Sequence, residues 1–519
     1  MSPSRLPLLC SARDLHAWRQ QQECGRPVHF VPTMGALHAG HQRLIHRARV
    51  QRGGLAPLVL VSAFVNPLQF AAGEDFERYP RLLDSDAAMA AAAGADALWA
   101  PTTADIYPGG LEAITRLEPP QALTQGLCGR SRPGHFGGVA TVVARLLALV
   151  QPQRLLLGEK DWQQLVVLRR LVADLGLPVL IEAVGTERDA DGLARSSRNR
   201  YLSVSERQQA RALPTALAEA HSALASGLRH PQQLLARVRQ LLEAAHLVVD
   251  YVELVQPHTL RPLQQLAGPG LLAAAVHCGA ARLIDHTVLM TRAPIVAIDG
   301  PAGAGKSTVT KAFARELGLV YLDTGAMYRA LTWWVQQQGV DVADAAAVAP
   351  LLQGLDLQLG ADQSVTINGH EVTAAIRSPE VTAQVSTVAA HGCVREALTA
   401  QQQAMGQRGG LVAEGRDIGT AVFPDAELKV FLTATVAERA RRRARDLAER
   451  GFAVPELSEL ETQIAERDHL DSTRAIAPLQ QAADAIELIT DGMAIEAVID
   501  RLVELFRSRV PEDAWPFSG

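Results

Sequence analysis

Short, largely apolar runs recur along the chain: Val28-His29-Phe30-Val31, residues 57–65 and residues 154–157. Such runs predict strands buried on both faces, because a strand with one wet face would alternate apolar and polar residues. Turn residues follow each run, and a helical spacing then begins, for the first run at about Leu37. This alternation predicts a parallel α/β layer. Residues 205–250, rich in Ala, Leu, Gln and Arg, predict helices, and 251–288 returns to short apolar runs between turn signals. A second series opens at Pro294, where Ile295-Val296-Ala297-Ile298 leads into a glycine-rich loop and a helical pattern from Thr308 to Leu317. The expected domains are residues 1–290 and 291–519. The first would have a core over about 1–190 and a smaller subdomain over about 191–290. The junction near 289–293 has no Gly/Ser linker, which predicts a short connection.

Composition narrows the function classes. With 519 residues, 48% hydrophobic and 20% charged, the chain is globular and long enough for more than one core. Its 50 basic and 55 acidic residues leave a net charge of −5, without the global basic footprint of a nucleic-acid binder. Residues 1–292 carry 30 Lys+Arg and 24 Asp+Glu, or +6, against 20 and 31, or −11, for the remainder; the first part therefore suits anionic substrates. Five dispersed cysteines with no CxxC argue against a disulfide framework and a cysteine metal site. No stretch of 18 apolar residues occurs, and the amino-terminal apolar run is too short for a signal peptide. No membrane or nucleic-acid partner and a cytoplasmic location are expected.

The first constellation follows the first strand: Pro32-Thr33-Met34-Gly35-Ala36-Leu37-His38-Ala39-Gly40-His41. Two histidines three apart stand where a helix should start, and free N–H groups and the helix dipole there attract anions. Imidazole N–H groups can donate to phosphate without a fixed charge, and Gly40 would leave room for a ligand against the backbone. Asn66 and Gln69, in FVNPLQF, should emerge at a strand's carboxyl end, where open α/β sheets bind ligands. Gly158-Glu159-Lys160-Asp161-Trp162-Gln163-Gln164 follows another strand, and Lys160 offers a point charge for phosphate. The loop Asp191–Arg200, with Ser196, Ser197 and Arg198, is suited to holding a triphosphate.

Together PTMGALHxGH, FVNPLQF, GEKDxQQ and DGLAxSSRNRYL resemble the pantoate–β-alanine ligases, over about residues 8–288. The resemblance implies a Rossmann-like, HIGH-type nucleotidylyltransferase fold with a small carboxyl-terminal subdomain. It also implies formation of pantoyl adenylate from ATP and pantoate, then attack by β-alanine. Implied ATP contacts are Met34, Gly35, His38, His41, Gly158, Lys160, Asp161, Ser196, Ser197 and Arg198. His38, His41, Lys160, Ser196 and Arg198 would be catalytic, with His41 also a proton donor. Met34, Asn66, Gln69 and Gln164 would hold pantoate. Mg²⁺ would arrive with ATP, with Asp84 and Asp86 as candidate ligands. A homodimer through this domain is a further implication. Arg195 and Gly137 depart from the family pattern, and no KMSKS loop of the tRNA synthetases is present.

The second constellation, Gly300-Pro-Ala-Gly303-Ala-Gly305-Lys306-Ser307, fits GxxxxGK[ST] between a strand and a helix. Its backbone would wrap phosphates, with Lys306 on the β/γ oxygens, Thr308 beside them and Ser307 as a Mg²⁺ ligand. No N-K-x-D guanine signature appears. YLDTGAMYRA, EGRDIGT and RDHLDSTR supply arginines on separate segments, as a small phosphate acceptor requires. These motifs resemble the bacterial-type cytidylate kinases over about residues 293–508, implying a P-loop nucleoside monophosphate kinase that phosphorylates CMP or dCMP. Thr324, Arg329, Ser386, Arg395, Asp417, Arg467, Asp471 and Arg474 would then bind the monophosphate. Lys306 and Arg474 would be catalytic, with Arg443 in a lid touching ATP. The other arginines of residues 437–451 are expected to form a solvated face. His391-Gly392 stands where the family favours proline, and Thr324 replaces a frequent serine.

Overall fold

The computed structural model describes residues 6–515 apart from 52–54, 71–73, 75, 361–362, 450, 452 and 475. The chain divides into two compact units, Met1–Thr291 together with Arg507–Pro516, and a second built on Arg292–Phe506.

The first unit centres on a six-stranded sheet in the order Leu8–Leu9, Ala97–Trp99, Leu58–Ala63, Val28–Thr33, Arg154–Gly158, Leu180–Val184. All of its pairings are parallel. Side chains alternate across a strand, so neighbouring residues feed opposite faces. Phe30, Leu60, Trp99 and Leu155 pack into one buried cluster, and Val31, Val61, Leu98 and Leu156 into another. Covering both faces requires the largely apolar runs seen in the sequence. The strand order reverses between Val28–Thr33 and Arg154–Gly158, creating a crevice at their carboxyl ends. The helix Ala39–Ala48 follows the first of these strands, and the 3₁₀ turn Glu159–Asp161 the second.

A smaller part of this unit stacks the helices Val204–Ala210, Ala212–Ala225 and Pro231–Ala244 on an antiparallel sheet. Its strands are Val248–Val255, Gly270–Cys278 and Ala281–Leu289. Leu213, Leu234, Leu242, Leu272 and Val276 form its core. The helical stretch expected to 250 stops at Ala244, because Val248 onward pairs with Gly270–Cys278.

The second unit has a five-stranded parallel sheet in the order Val320–Asp323, Leu411–Gly415, Ile295–Asp299, Leu428–Thr433, Ile486–Ile489. Its central strand, Ile295–Asp299, is buried at every position. A small antiparallel sheet, Leu357–Leu359, Val365–Ile367 and His370–Glu371, was not apparent from the sequence pattern, its strands being two or three residues long. Among the described residues no helix is long and apolar enough to cross a membrane.

Trp99 is fully buried, and its Nε1–H donates to the Ser11 carbonyl at 3.2 Å. Trp99→Ala should cost about 3–5 kcal/mol, read as a lower urea midpoint by far-ultraviolet circular dichroism.

Candidate functional sites

The histidine pair of the first unit is held by the backbone. His38 is the N-cap of Ala39–Ala48, with extended φ −148° and ψ 177°. Its Nδ1 accepts from the Gly40 N–H at 3.2 Å, and the His41 Nδ1 accepts from the His38 N–H at 3.2 Å. A nitrogen that accepts from an amide carries no proton, so both rings are Nε2–H tautomers. The ring centroids lie 4.1 Å apart. Burial, with Lys160, Arg195 and Arg200 nearby, pushes His38 down to about 4, against an opposing effect of Asp161. Burial, His38 and Lys160 push His41 down to about 3, again against Asp161. Both imidazoles are therefore neutral N–H donors near neutral pH.

A Cβ on Gly40 would stand 3.0 Å from Nδ1 and Cε1 of His38. The space expected for a ligand at Gly40 is thus taken by the capping ring. The preceding loop is fixed by Asp86, whose two carboxylate oxygens accept from Ala36 N–H at 3.0 Å and Leu37 N–H at 2.8 Å. Asp86 is buried and committed to this loop, while Asp84 is exposed at the start of the helix Leu83–Ala92.

A cavity of about 940 Å³ lies in the same unit, lined by Lys160, Asp161, Gln164, Ser196 and Arg198 among the anticipated residues. Met34, Gly35, His38, His41, Asn66, Gln69, Gly158 and Ser197 are not among the residues lining it. The Lys160 ammonium lies 3.5 Å from Asp161 Oδ1. Asn66 is buried; its Oδ1 accepts from Tyr107 O–H at 2.8 Å and its Nδ2 donates to the Gly138 carbonyl at 3.2 Å. Ser197 Oγ lies 3.3 Å from Tyr79 Oη. Arg195 pairs with Asp189 at 3.0 Å. At Gly137 a Cβ would lie 2.9 Å from a Glu118 carboxylate oxygen, so Glu118 occupies the space of the missing side chain.

Arg132, His135 and Arg282 are among the lining residues to which the sequence assigns no role. Arg132 donates to Glu74 and to the Gln69 carbonyl. His135 Nδ1 donates to the same carbonyl at 2.9 Å, leaving Nε2 toward Arg132 at 3.1 Å. An Arg-Pro-Gly-His run immediately before the helix His135–Val150 was the available signal. Arg282 binds Asp250 at 2.7 Å and approaches Cys128 Sγ at 3.6 Å.

In the second unit a cavity of about 720 Å³ is lined by every anticipated residue except Gly300. Gly300 instead allows a close backbone approach: with φ +149°, a Cβ there would lie 2.0 Å from the Leu432 carbonyl oxygen. Lys306 is buried and donates from Nζ to the Gly300 and Pro301 carbonyls at 2.7 and 2.8 Å. Ser307 donates to Glu414 at 2.5 Å, and Thr324 Oγ1 to the Glu414 carbonyl at 2.7 Å. Buried Asp299 accepts from Ile418 N–H and Gly419 N–H at 2.8 and 2.7 Å, which fixes the EGRDIGT loop. Asp417 pairs with buried Arg395, whose guanidinium lies over the Tyr328 ring. Asp471 accepts from Arg416 at 3.0 Å and faces Arg474 at 3.9 Å. His391 closes the helix Pro379–Ala390 and opens Gly392–Met405, which carries Arg395; its Nε2 bonds the Val342 carbonyl at 2.7 Å.

The arginine-rich helix Val436–Glu449 corrects the expectation of a solvated face at Arg439 and Arg442, whereas Arg441 and Arg445 are exposed as expected. Arg439 is buried, bound to Asp468 and to the Ala302 carbonyl at 3.2 Å. Arg442 reaches the Ala304 carbonyl at 3.2 Å. Both guanidiniums brace the phosphate loop, because their donors match its outward carbonyls. Arg443 pairs with Asp446 at 3.3 Å and lines the cavity. Glu414 and Arg416, also lining it, were visible in the EGRD motif but were given no role.

These geometries agree with known proteins. A family model for pantoate-beta-alanine ligase matches residues 8–288, and one for cytidylate kinase matches 296–508. A bifunctional pantoate ligase/cytidylate kinase of Parasynechococcus marenigrum (strain WH8102) is 66% identical over 496 residues, covering 95% of this chain and 96% of its own. One from Prochlorococcus marinus (strain MIT 9313) is 62% identical over 510 residues, covering 97% and 100%. The crystal structure of pantothenate synthetase from Thermus thermophilus superposes with a TM-score of 0.51 at 44% identity, covering 54% of this chain and 99% of that one. With one family model spanning more than half its length and relatives alike from end to end, the chain belongs to the bifunctional pantoate ligase/cytidylate kinase family.

Proposed function

We propose that the protein carries out two ATP-dependent reactions at separate sites. In the first unit the pantoate carboxylate attacks the α-phosphorus of ATP, forming the acyl–phosphate bond and releasing pyrophosphate. The β-alanine amine then attacks the acyl carbon, giving pantothenate and AMP. In the second unit a phosphate oxygen of CMP or dCMP attacks the γ-phosphorus, giving CDP or dCDP and ADP. The observation that carries this reading is two different phosphate-holding devices, a neutral imidazole pair at one sheet's switch point and a glycine loop with a buried lysine at the other.

In the ligase no side chain needs to form a covalent intermediate; positioning and charge stabilisation suffice. The Nε2–H groups of His38 and His41 donate to phosphate oxygens, and Lys160, Ser196 and Arg198 oppose the charge leaving as pyrophosphate. Met34, Asn66, Gln69 and Gln164 position pantoate. Gly35, Gly158, Asp161 and Ser197 shape the nucleotide site. In the kinase Gly303, Gly305 and Thr308 shape the phosphate loop, Lys306 holds the β and γ oxygens, and Arg443 closes on ATP. Arg329, Arg395, Arg467 and Arg474 clamp the acceptor with Thr324, Ser386, Asp417 and Asp471.

Mg²⁺ fits the second site, where the Ser307 hydroxyl and Glu414 carboxylate are adjacent hard oxygen donors lining the cavity. Bound there with ATP, it would neutralise charge on the β and γ oxygens. In the first unit Asp86 has both oxygens engaged by the backbone, so Mg²⁺ would be held chiefly by the triphosphate. A cytoplasmic location suits the five free cysteines. A homodimer through residues 1–290 is carried over from the ligase resemblance; sedimentation at twice 55.7 kDa would support it and a 55.7 kDa species alone would refute it.

His41→Ala should lower pantothenate formation by at least about 10² and leave CMP phosphorylation intact, and Lys306→Ala should do the reverse. Equal loss of both activities from either folded variant contradicts separate sites. Because both histidines titrate well below the usual imidazole range, nitrogen-15 NMR should show Nε2–H tautomers for His38 and His41 with no titration between about pH 5.5 and 8. A protonation step near 6.5 on either ring would contradict the neutral-donor role.

A further inference from the structure

The first unit is discontinuous, and its second piece, Arg507–Pro516, is nearly all outside both family matches, which end at 288 and 508. This piece bonds the elements that surround the sheet's switch point. Glu159, the second residue of the GEKD motif, is fully buried and turned away from its neighbours Lys160 and Asp161, which line the cavity. Its carboxylate accepts from the Glu512 N–H at 2.7 Å and the Asp513 N–H at 3.2 Å. Glu512 in turn accepts from Arg43 and Arg47, each at 3.0 Å, on the helix capped by His38 and His41. Its other oxygen accepts from the Gly185 N–H at 3.1 Å, and Asp513 accepts from the Thr186 N–H at 3.0 Å, both just past the strand Leu180–Val184.

We infer that residues 507–515 form a positioning element of the ligase site, with Glu512 and Glu159 as its positioning residues. The segment joins three pieces that the phosphate site needs in register: the histidine-capped helix, the turn carrying Lys160, and the end of the neighbouring strand. Its bonds are charge-assisted and partly or fully buried, the class whose loss is felt most. A Cβ on Gly185 would lie 2.8 Å from Asp513 Oδ1, so the strand end is shaped to receive this segment. Neither Glu512 nor Asp513 lines the cavity; they act through Arg43, Arg47 and Glu159.

The inference rests on the ligase reading, and the full-length wild-type chain tests that reading first by making pantothenate. The double variant Glu512→Ala/Asp513→Ala should then raise the KM for ATP in pantothenate formation by about tenfold, the scale of one charge-assisted hydrogen bond. The kcat should change less, and CMP phosphorylation should not change. Glu512→Gln, which keeps acceptor oxygen for the arginines, should recover most of the ATP affinity. An unchanged KM for ATP in the double variant would overturn the inference. So would a parallel loss of CMP phosphorylation, or a Glu512→Gln variant as impaired as the double variant, since each marks general destabilisation instead of positioning.

Discussion

A buried carboxylate that accepts two consecutive backbone N–H groups is the device on which these sites depend. Asp86 does this for Ala36 and Leu37, Asp299 for Ile418 and Gly419, and Glu159 for Glu512 and Asp513. The first two pairs lie in loops at the carboxyl ends of parallel strands, which have lost the sheet's own partners, and the third follows the helix Ile495–Arg509; unpaired buried N–H groups are costly. One carboxylate satisfies two of them and fixes the local chain direction. The proposed phosphate-holding groups can then be neutral imidazoles in one unit and a single buried lysine in the other.

The two sites use this rigidity differently. In the ligase, the backbone amides also set the tautomers of His38 and His41, so the helix start and the proposed phosphate donors are the same structure. In the kinase, Lys306, Arg439 and Arg442 all bond loop carbonyls, so three cations hold the glycine-rich loop in place. These arrangements match reactions at different phosphorus atoms, α in one unit and γ in the other.

Much of this was legible from the residues alone. Largely apolar runs revealed both sheets because covering two faces leaves little polar alternation. The HxGH and GxxxxGKS motifs pointed to both proposed phosphate sites because each is encoded within one strand–turn–helix. Contacts between distant parts of the sequence were not legible. Glu512 meets Arg43 across more than four hundred residues, with no local motif to mark it. Arg439 read as solvated because a run of arginines on a helix usually is; its burial depends on Asp468 and the Ala302 carbonyl, which sequence order does not bring near. Gly40 read as ligand space, whereas the capping ring of His38 fills it.

The central claim, two chemistries on one chain, is tested most directly by phosphorus NMR of ATP turnover in two samples of the full-length protein. One contains pantoate and β-alanine, the other CMP, both with Mg²⁺. The account predicts AMP and pyrophosphate in the first and ADP and CDP in the second. ADP and inorganic phosphate in the first sample, or no turnover in either one while the other proceeds, would contradict it.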